Sequence, residues 1–375
     1  MVKWELRIWM DREYALKEED IRMLHNKAKE DLKFNIFMGF DGFVDKILKP
    51  VRMKDRDNTD FFQTIKEFAD YLAAKEGKSC SVALEKVQEK IGGNMPIMAN
   101  ALGTLGCKPV CVGTMGFPEV LPIFRQMSGN CLLISVGNPG YSDALEFISG
   151  KLMLGENGDI DALDYRRLIS AVPEEELIRY LEECDGAAFL NWGELIGSND
   201  IWENILTRIL PKCEFKGRKT MLMDFSDFSK RQKEEVEKMT ELIRGYAQYF
   251  DIAVSLNENE LEQFSEKLGF GEMSMEEKLL TLSKRFSCSE MVLHLLGASC
   301  YVKGDEILSI EKEIVKNPRT ITGGGDNFNA GLLLGLLLKM DMEGAIRLGA
   351  GLSSLYVKYG REVTWEELTE YSFSS

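Results

Sequence analysis

From about residue 164 onward the chain alternates short, mainly apolar runs with longer amphipathic ones, and no other feature restricts its fold as much. The runs "GAAFLNW", "TMLMDFS", "DIAVSLN" and "MVLHLLG" are too short for helices and lack the regular alternation of a sheet with one wet face. Between them, "SNDIWENILTRIL", "SKRQKEEVEKMTELIRGYAQYF" and "NELEQFSEKLG" have helical spacing and charged faces. Buried strands joined by amphipathic helices predict an α/β protein with a mostly parallel central sheet between two helical layers. Upstream, "FNIFMGF" reads as a first buried strand ending in the turn-like "DGF". The spacing predicts a helix over 57–77, capped by Asp57 or Asn58 and stopped by Gly77. "NMPIMANALGTLG" reads as a helix closed by Gly106, with the strand "CKPVCVGTMG" after it. "CLLISVG" and "ALEFISGKLMLGE" read as strands joined by a loop carrying "NPGYSD". Residues 13–33 are helically spaced and highly charged, so residues 1–33 are expected to form a solvated helical extension before one domain over 34–375.

Charge and hydropathy exclude several classes. A formal charge of −15 repels polyanions, so nucleic acid is not an expected partner. The longest apolar run, "AGLLLGLLLKM", is far shorter than the roughly 20 residues that cross a bilayer. The charged N-terminus has no secretory core, which predicts a cytoplasmic protein. Eight cysteines are scattered without a CxxC, and there are only two histidines; buried thiols of a reducing compartment are expected rather than a metal site.

The stretch "TITGGGDNFNAGLLLGLLLKMD", residues 320–341, sets three glycines and a carboxylate before an apolar helix. Gly323, Gly324 and Gly325 carry no Cβ, so successive N–H groups can converge on an anion at the positive end of that helix. Asp326 then lies within reach of a hydroxyl approaching the bound phosphate. A cap on the helix explains Asp326 equally simply, and no Walker-A pattern accompanies it.

"GGGDNFNAG" resembles the C-terminal signature G-A-G-D-x-F-x-x-G of the ribokinase (PfkB) carbohydrate kinases, with Gly324 in place of Ala. The resemblance implies a three-layer ribokinase-like fold with a small β lid, and it makes Asp326 the base and Gly323, Gly324 and Gly325 the anion hole. Other landmarks follow in order over residues 35–360. "IGGNMPIMANALGTLG" is similar to the sugar-contacting signature, through Gly92 and Gly93 with Asn94 beside them. "SLNENEL" resembles the NxxE motif, implying that Asn257 and Glu260 organise hydrated Mg²⁺; as residues they also read as a capping box. "HLLGASCYV" resembles the turn that touches nucleotide phosphates, with Gly297 as its glycine, and "GLSSLYVKYG" the last helix, bordering the adenine pocket. Asp41 and Asp45 are candidates for sugar hydroxyls or for turn and cap roles. Asp224, at a strand's C-terminal end, is a weaker candidate, and His294 reads first as a core histidine. Gly331 and Gly335 are expected to let their helix approach the sheet.

Departures matter too. Ile97 stands where the ATP-dependent family has a sugar-binding Asn, and Thr320 and Ile321 replace an Asp-Thr pair that supports a monovalent-cation site. Asp45 lies six residues after Gly39, as in the ADP-dependent sugar kinases, whereas Phe328 and Gly331 are features of the ATP-dependent branch. The expected activity is transfer of the terminal phosphate of a nucleotide, ATP with ADP as alternative, to a sugar hydroxyl. Nucleoside phosphorylation and non-catalytic sensing of a sugar or nucleotide are the rival readings. Lid strands are expected near 46–56 and 130–153, with a homodimer formed through them. A Rossmann oxidoreductase is excluded, because no acidic ribose partner follows the glycines by about 20 residues.

Overall fold

The structure, a computed structural model, describes residue 20 and residues 22–24, 32–312 and 314–371. Most of the helix expected over 13–33 therefore lies outside the described residues, though 20 and 22–24 are helical. The main sheet has nine strands, and the chain enters it at β1 (Asn35–Phe40). On one side of β1 lie β5 (Lys108–Gly113) and β6 (Leu132–Ser135). On the other side follow β9 (Gly186–Phe189), β10 (Lys219–Met223), β11 (Phe250–Asn257) and β12 (Glu290–His294). These seven strands are parallel. The antiparallel β13 (Ala298–Lys303) and β14 (Glu306–Glu311) complete the edge beyond β12.

The sheet forms because its strands are apolar on both faces. On β1, Phe37 joins one core layer while Ile36 and Met38 join the other, and all three are fully buried. Phe40 and Phe189 meet edge-to-face at 5.1 Å between centroids, locking β1 to β9. The chain runs outward from β1 through β5 and β6, then returns to fill the other side from β9. Ligands of such sheets bind at this reversal, outside the carboxyl ends of the strands.

Five further strands form a second sheet where the lid is expected: β2 (Phe43–Lys54), β3 (Thr59–Phe61), β4 (Leu84–Gly92), β7 (Gly140–Phe147) and β8 (Gly150–Glu156). Several details differ from the sequence expectations. β6 belongs to the main sheet, and β4 adds a lid strand whose polar composition gave no apolar signal. "GYSD" begins β7 instead of forming a loop, because it pairs with β2. The helix expected over 57–77 is only Ile65–Ala73. Its cap is Thr64 with a reciprocal Glu67, a stronger signal than Asp57 or Asn58, and Gly77 lies in the turn beyond.

Gly331 and Gly335 serve a helix, not the sheet. A Cβ on Gly331 would lie 2.6 Å from the Cα of Gly349, and one on Gly335 2.6 Å from the Cα of Ala345. Helix Gly324–Leu337 thus lies backbone-to-backbone against helix Met342–Tyr359, which is followed by a further helix, Trp365–Tyr371. All eight cysteines are free; Cys107, Cys111 and Cys184 are buried, four are half-buried and Cys80 is exposed.

Candidate active site

Just past the end of β1, Asp41 is completely buried, and its carboxylate caps a helix from a distance. The N–H groups of Asn94 and Met95, the first two residues of helix Asn94–Leu105, each donate to it at 2.8 Å. Asn191 Nδ2 adds a third bond at 2.7 Å. Burial raises the Asp41 pKa while these hydrogen bonds pull it down. The two glycines before the helix make room for carboxylates: a Cβ on Gly93 would lie 2.8 Å from Asp41 Oδ2, and one on Gly92 2.3 Å from Asp45 Oδ1.

Asp45 is different. It sits on β2, buried to 4% exposure, and its carboxylate accepts no hydrogen bond among the described residues. Burial pushes its pKa up to about 6 against the opposing pull of Lys90 and Lys151.

Asp224 ties three elements together after β10. Asn94 Nδ2 donates to one oxygen at 2.8 Å and Asn329 Nδ2 to the other at 2.9 Å. Burial raises its pKa to about 6, and those two bonds oppose the rise. Asn94 therefore spends its amide on Asp224. Asn329 lies one helical turn after Asp326, and this polar i,i+3 pair inside an apolar helix was the signal that could have found it.

The glycine turn begins with Gly323 at φ +96°, a conformation few side chains adopt, and its Cβ would meet the Tyr356 hydroxyl at 2.7 Å. Not all three glycine amides are free: Gly324 N–H donates to Ile321 O at 3.2 Å. The N–H groups of Gly323 and Gly325 have no partner among the described residues, and Asp326 N–H meets its own carboxylate. Asp326 is half-buried in the first turn, and its carboxylate accepts no bond from another described residue. Burial raises its pKa well above the ordinary value, and the charges of Asp224, Asp41 and Asp45 add to the rise.

Asn257 and Glu260 do form the reciprocal capping box: Asn257 Oδ1 accepts from Glu260 N–H and Glu260 Oε2 from Asn257 N–H, both at 2.9 Å. Yet Glu260 is only 2% exposed, and burial followed by the Asp224 charge holds its pKa well up. A cap on a solvated helix would not be sunk among carboxylates. Among the described residues no three His, Cys, Asp or Glu side chains converge tightly enough to ligate a metal directly.

Beside the glycine turn lies a cavity of about 360 Å³ whose wall includes His294, Lys312, Ile321, Gly325, Phe328 and Val357. His294 stacks on Phe328 at 5.1 Å, and burial, then Lys312, lower its pKa to about 3, so it is neutral. Gly297 lies in the β12–β13 turn, where its carbonyl accepts from Lys312 N–H. Sequence reasoning missed Lys312, whose pKa burial lowers to about 8, and the lid lysines Lys90 and Lys151. No motif marked any of the three.

Comparison with solved structures gives the fold class. An Arabidopsis thaliana ribokinase complexed with ribose and ATP matches with a TM-score of 0.63 at 13% identity, covering 92% of this chain and 99% of that one. A nucleoside kinase of Burkholderia thailandensis in complex with inosine gives 0.59 at 14%, covering 91% and 99%. Both are ribokinase-like folds, and the fold alone does not separate their substrates. The sequence comparisons are narrower. A family model for prokaryotic ketohexokinase matches residues 21–373, and a ketohexokinase of Haloferax volcanii is 25% identical over 342 residues, 90% of each chain. The chain belongs to the prokaryotic ketohexokinase family. It is a carbohydrate kinase, a phosphotransferase acting on a hydroxyl group, and the family implies ATP as the donor.

Proposed function

We propose that this kinase transfers the γ-phosphate of ATP to a hydroxyl of a ketohexose, with Asp326 as the base. The ketohexose comes from the Haloferax relative's name and the family match. The observation that carries the chemistry is the start of helix Gly324–Leu337, where unpartnered amides adjoin a half-buried carboxylate. A hydroxyl held by Asp45 loses its proton to Asp326 as its oxygen bonds the γ-phosphorus. The bridging bond to ADP breaks, and ADP keeps the electron pair. The amides of Gly323 and Gly325 hold the transferring oxygens at the positive end of the helix. Gly92 and Gly93 act by letting Asp45 and Asp41 come close. Asp41, Asp224 and Asn94 position the acceptor side, and Gly297 the turn beside the nucleotide.

Mg²⁺ fits this site through water rather than by direct ligation. Asp224 and Asp326 raise the proton affinity of Glu260, Asp224 also raises that of Asp326, and a hydrated cation among them would relieve that repulsion. Asn257 and Glu260 would hold its waters, and the ion would neutralise charge on the donor phosphates. Exposed apolar side chains on the lid strands, Leu84 and Val87 of β4 and Leu152 and Leu154 of β8, support a homodimer formed through the lid. Among the described residues no helix is long and apolar enough to cross a membrane, and we place the enzyme in the cytoplasm.

The test is ADP release with ATP and a panel of ketohexoses, aldohexoses and nucleosides, repeated with ADP as donor. A ketohexose with ATP is expected to give the highest kcat/KM. A preference for nucleosides, or for ADP, would overturn this reading.

A further inference from the structure

The lid sends two lysines down to the loop that leads into the glycine turn. Lys90 Nζ, from β4, donates to Thr320 Oγ1 at 3.2 Å and to Thr322 O at 3.4 Å. Lys151 Nζ, from β8, donates to Thr322 Oγ1. Neither lysine belongs to an ion pair among the described residues, although Asp45, Glu146 and Asp326 are all near enough to act on Lys90. Asp45 is the strongest charge acting on both lysines, while Lys151 repels Lys90. Lys90 is half-buried and opposite Asp45 in the β2–β4 register.

Asp45 and Glu146 offset part of the charge of this desolvated pair, and a further anion between them would offset more. The free amides of Gly323 and Gly325 lie immediately beyond Thr322 and ask for the same kind of ligand. An ammonium group has three donors, and Lys90 uses two on the loop, which leaves one. Fixed on one side by Thr320 and Thr322, that group is preorganised toward the turn.

We infer that Lys90 is a catalytic residue, delivered by the lid to the transferring phosphoryl group, with Lys151 holding the lid strand beside it. This rests on the reaction proposed above. The third N–H of Lys90 binds a non-bridging oxygen of the γ-phosphoryl group on the side opposite the glycine amides. Its charge offsets the negative charge that builds there while the acceptor oxygen–phosphorus bond forms and the bond to ADP breaks. The proton still goes to Asp326; Lys90 keeps its own. Because its effect is on the moving phosphoryl, its loss shows in kcat more than in either KM.

The experiment measures kcat and both KM values for the full-length wild type, Lys90→Met, Lys90→Arg and, as a control on the same strand, the exposed Lys86→Met. Thermal shifts with ATP report folding and nucleotide binding. Lys90→Met is expected to lose about 100- to 1,000-fold in kcat, the usual cost of one transition-state donor, while still binding ATP. Lys90→Arg recovers at least tenfold of that loss, and Lys86→Met matches the wild type. A loss of less than tenfold in Lys90→Met, or a loss that follows only the unfolded fraction, would overturn the inference. If Lys90→Met does not fold, Lys90→Gln, which keeps a donor but not the charge, is judged by the same criterion. A wild type that transfers no phosphate from ATP to any sugar would overturn the functional reading as well; an active wild type with an indifferent Lys90 overturns this inference alone.

Discussion

Two helices begin at the same edge of the main sheet, each led in by glycine, and they finish their first turns in opposite ways. Helix Asn94–Leu105 follows Gly93 at φ +89°, and its first amides are filled by the Asp41 carboxylate. Helix Gly324–Leu337 follows Gly323 at φ +96°, and its early amide at Gly325 has no partner among the described residues. Both helix starts offer a positive end and orphan N–H groups. The protein supplies its own anion at the first and leaves the second open. A glycine-led helix start is therefore not by itself a binding site; what matters is whether the chain caps it.

The largest expected effect separates the two carboxylates. Asp326→Asn should lower kcat about 1,000-fold, the contribution of a well-placed general base, while ATP still raises the melting temperature. The free enzyme should be no less stable, because the substitution removes a charge that other carboxylates disfavour. A variant with kcat within tenfold of wild type would break the assignment.

Asp41→Ala should act on folding instead. It orphans three donors, those of Asn94, Met95 and Asn191, in a fully buried place. We expect a loss of about 3 kcal/mol in denaturant unfolding, since each buried unsatisfied donor costs about 1–3 kcal/mol and the site relaxes in part. If Asp41→Ala kept its stability and lost only turnover, the first helix start would belong to the chemistry and the contrast would fail.

Substituting glycines sharpens the second helix start. Gly323→Ala places a Cβ 2.7 Å from the Tyr356 hydroxyl at a positive φ, so it should cost about 1–2 kcal/mol in thermal or denaturant unfolding. At Gly325 the nearest atom to a Cβ is His294 Cε1 at 3.6 Å, an ordinary contact. Gly325→Ala should fold normally and lose only part of its ATP affinity. Equal destabilisation by both would show that the turn is merely structural.

Much of this was legible in the sequence, for reasons that differ by region. The strands of the main sheet are buried on both faces, so "FNIFMGF" and "DIAVSLN" announce themselves as apolar runs. Lid strands β4 and β8 are exposed along most of their length, and "LEKVQEKIG" has no buried face to read. The glycine–aspartate turn was legible because backbone conformation demands particular residues there. The opposite fates of Gly93 and Gly323 were not, since Asp41 reaches Asn94 across 53 positions of sequence. Lys90 was invisible for the same reason, lying 230 residues from Thr320.

The smallest effect concerns pH, and it tests whether the open helix start costs the empty enzyme stability. Burial raises Asp45 and Asp224 from 3.8 to about 6, and Asp41, Glu260 and Asp326 move in the same direction. A carboxyl group whose pKa is raised by folding binds more protons folded than unfolded. Stability from these groups is thus present at acid pH and declines as pH rises from about 4 through about 6. The ligand-free protein should therefore melt higher at pH 5.5 than at pH 7.5, by on the order of 1 kcal/mol after allowing for relaxation. Mg²⁺ with ATP should narrow the gap, because cation and lysines then neutralise the carboxylates that repel one another. Asp326→Asn should narrow it too, without ligand. A ligand-free protein that is more stable at pH 7.5 than at 5.5 would mean that Lys90 and Lys151 already compensate these acids, and that the second helix start is no more strained than the first.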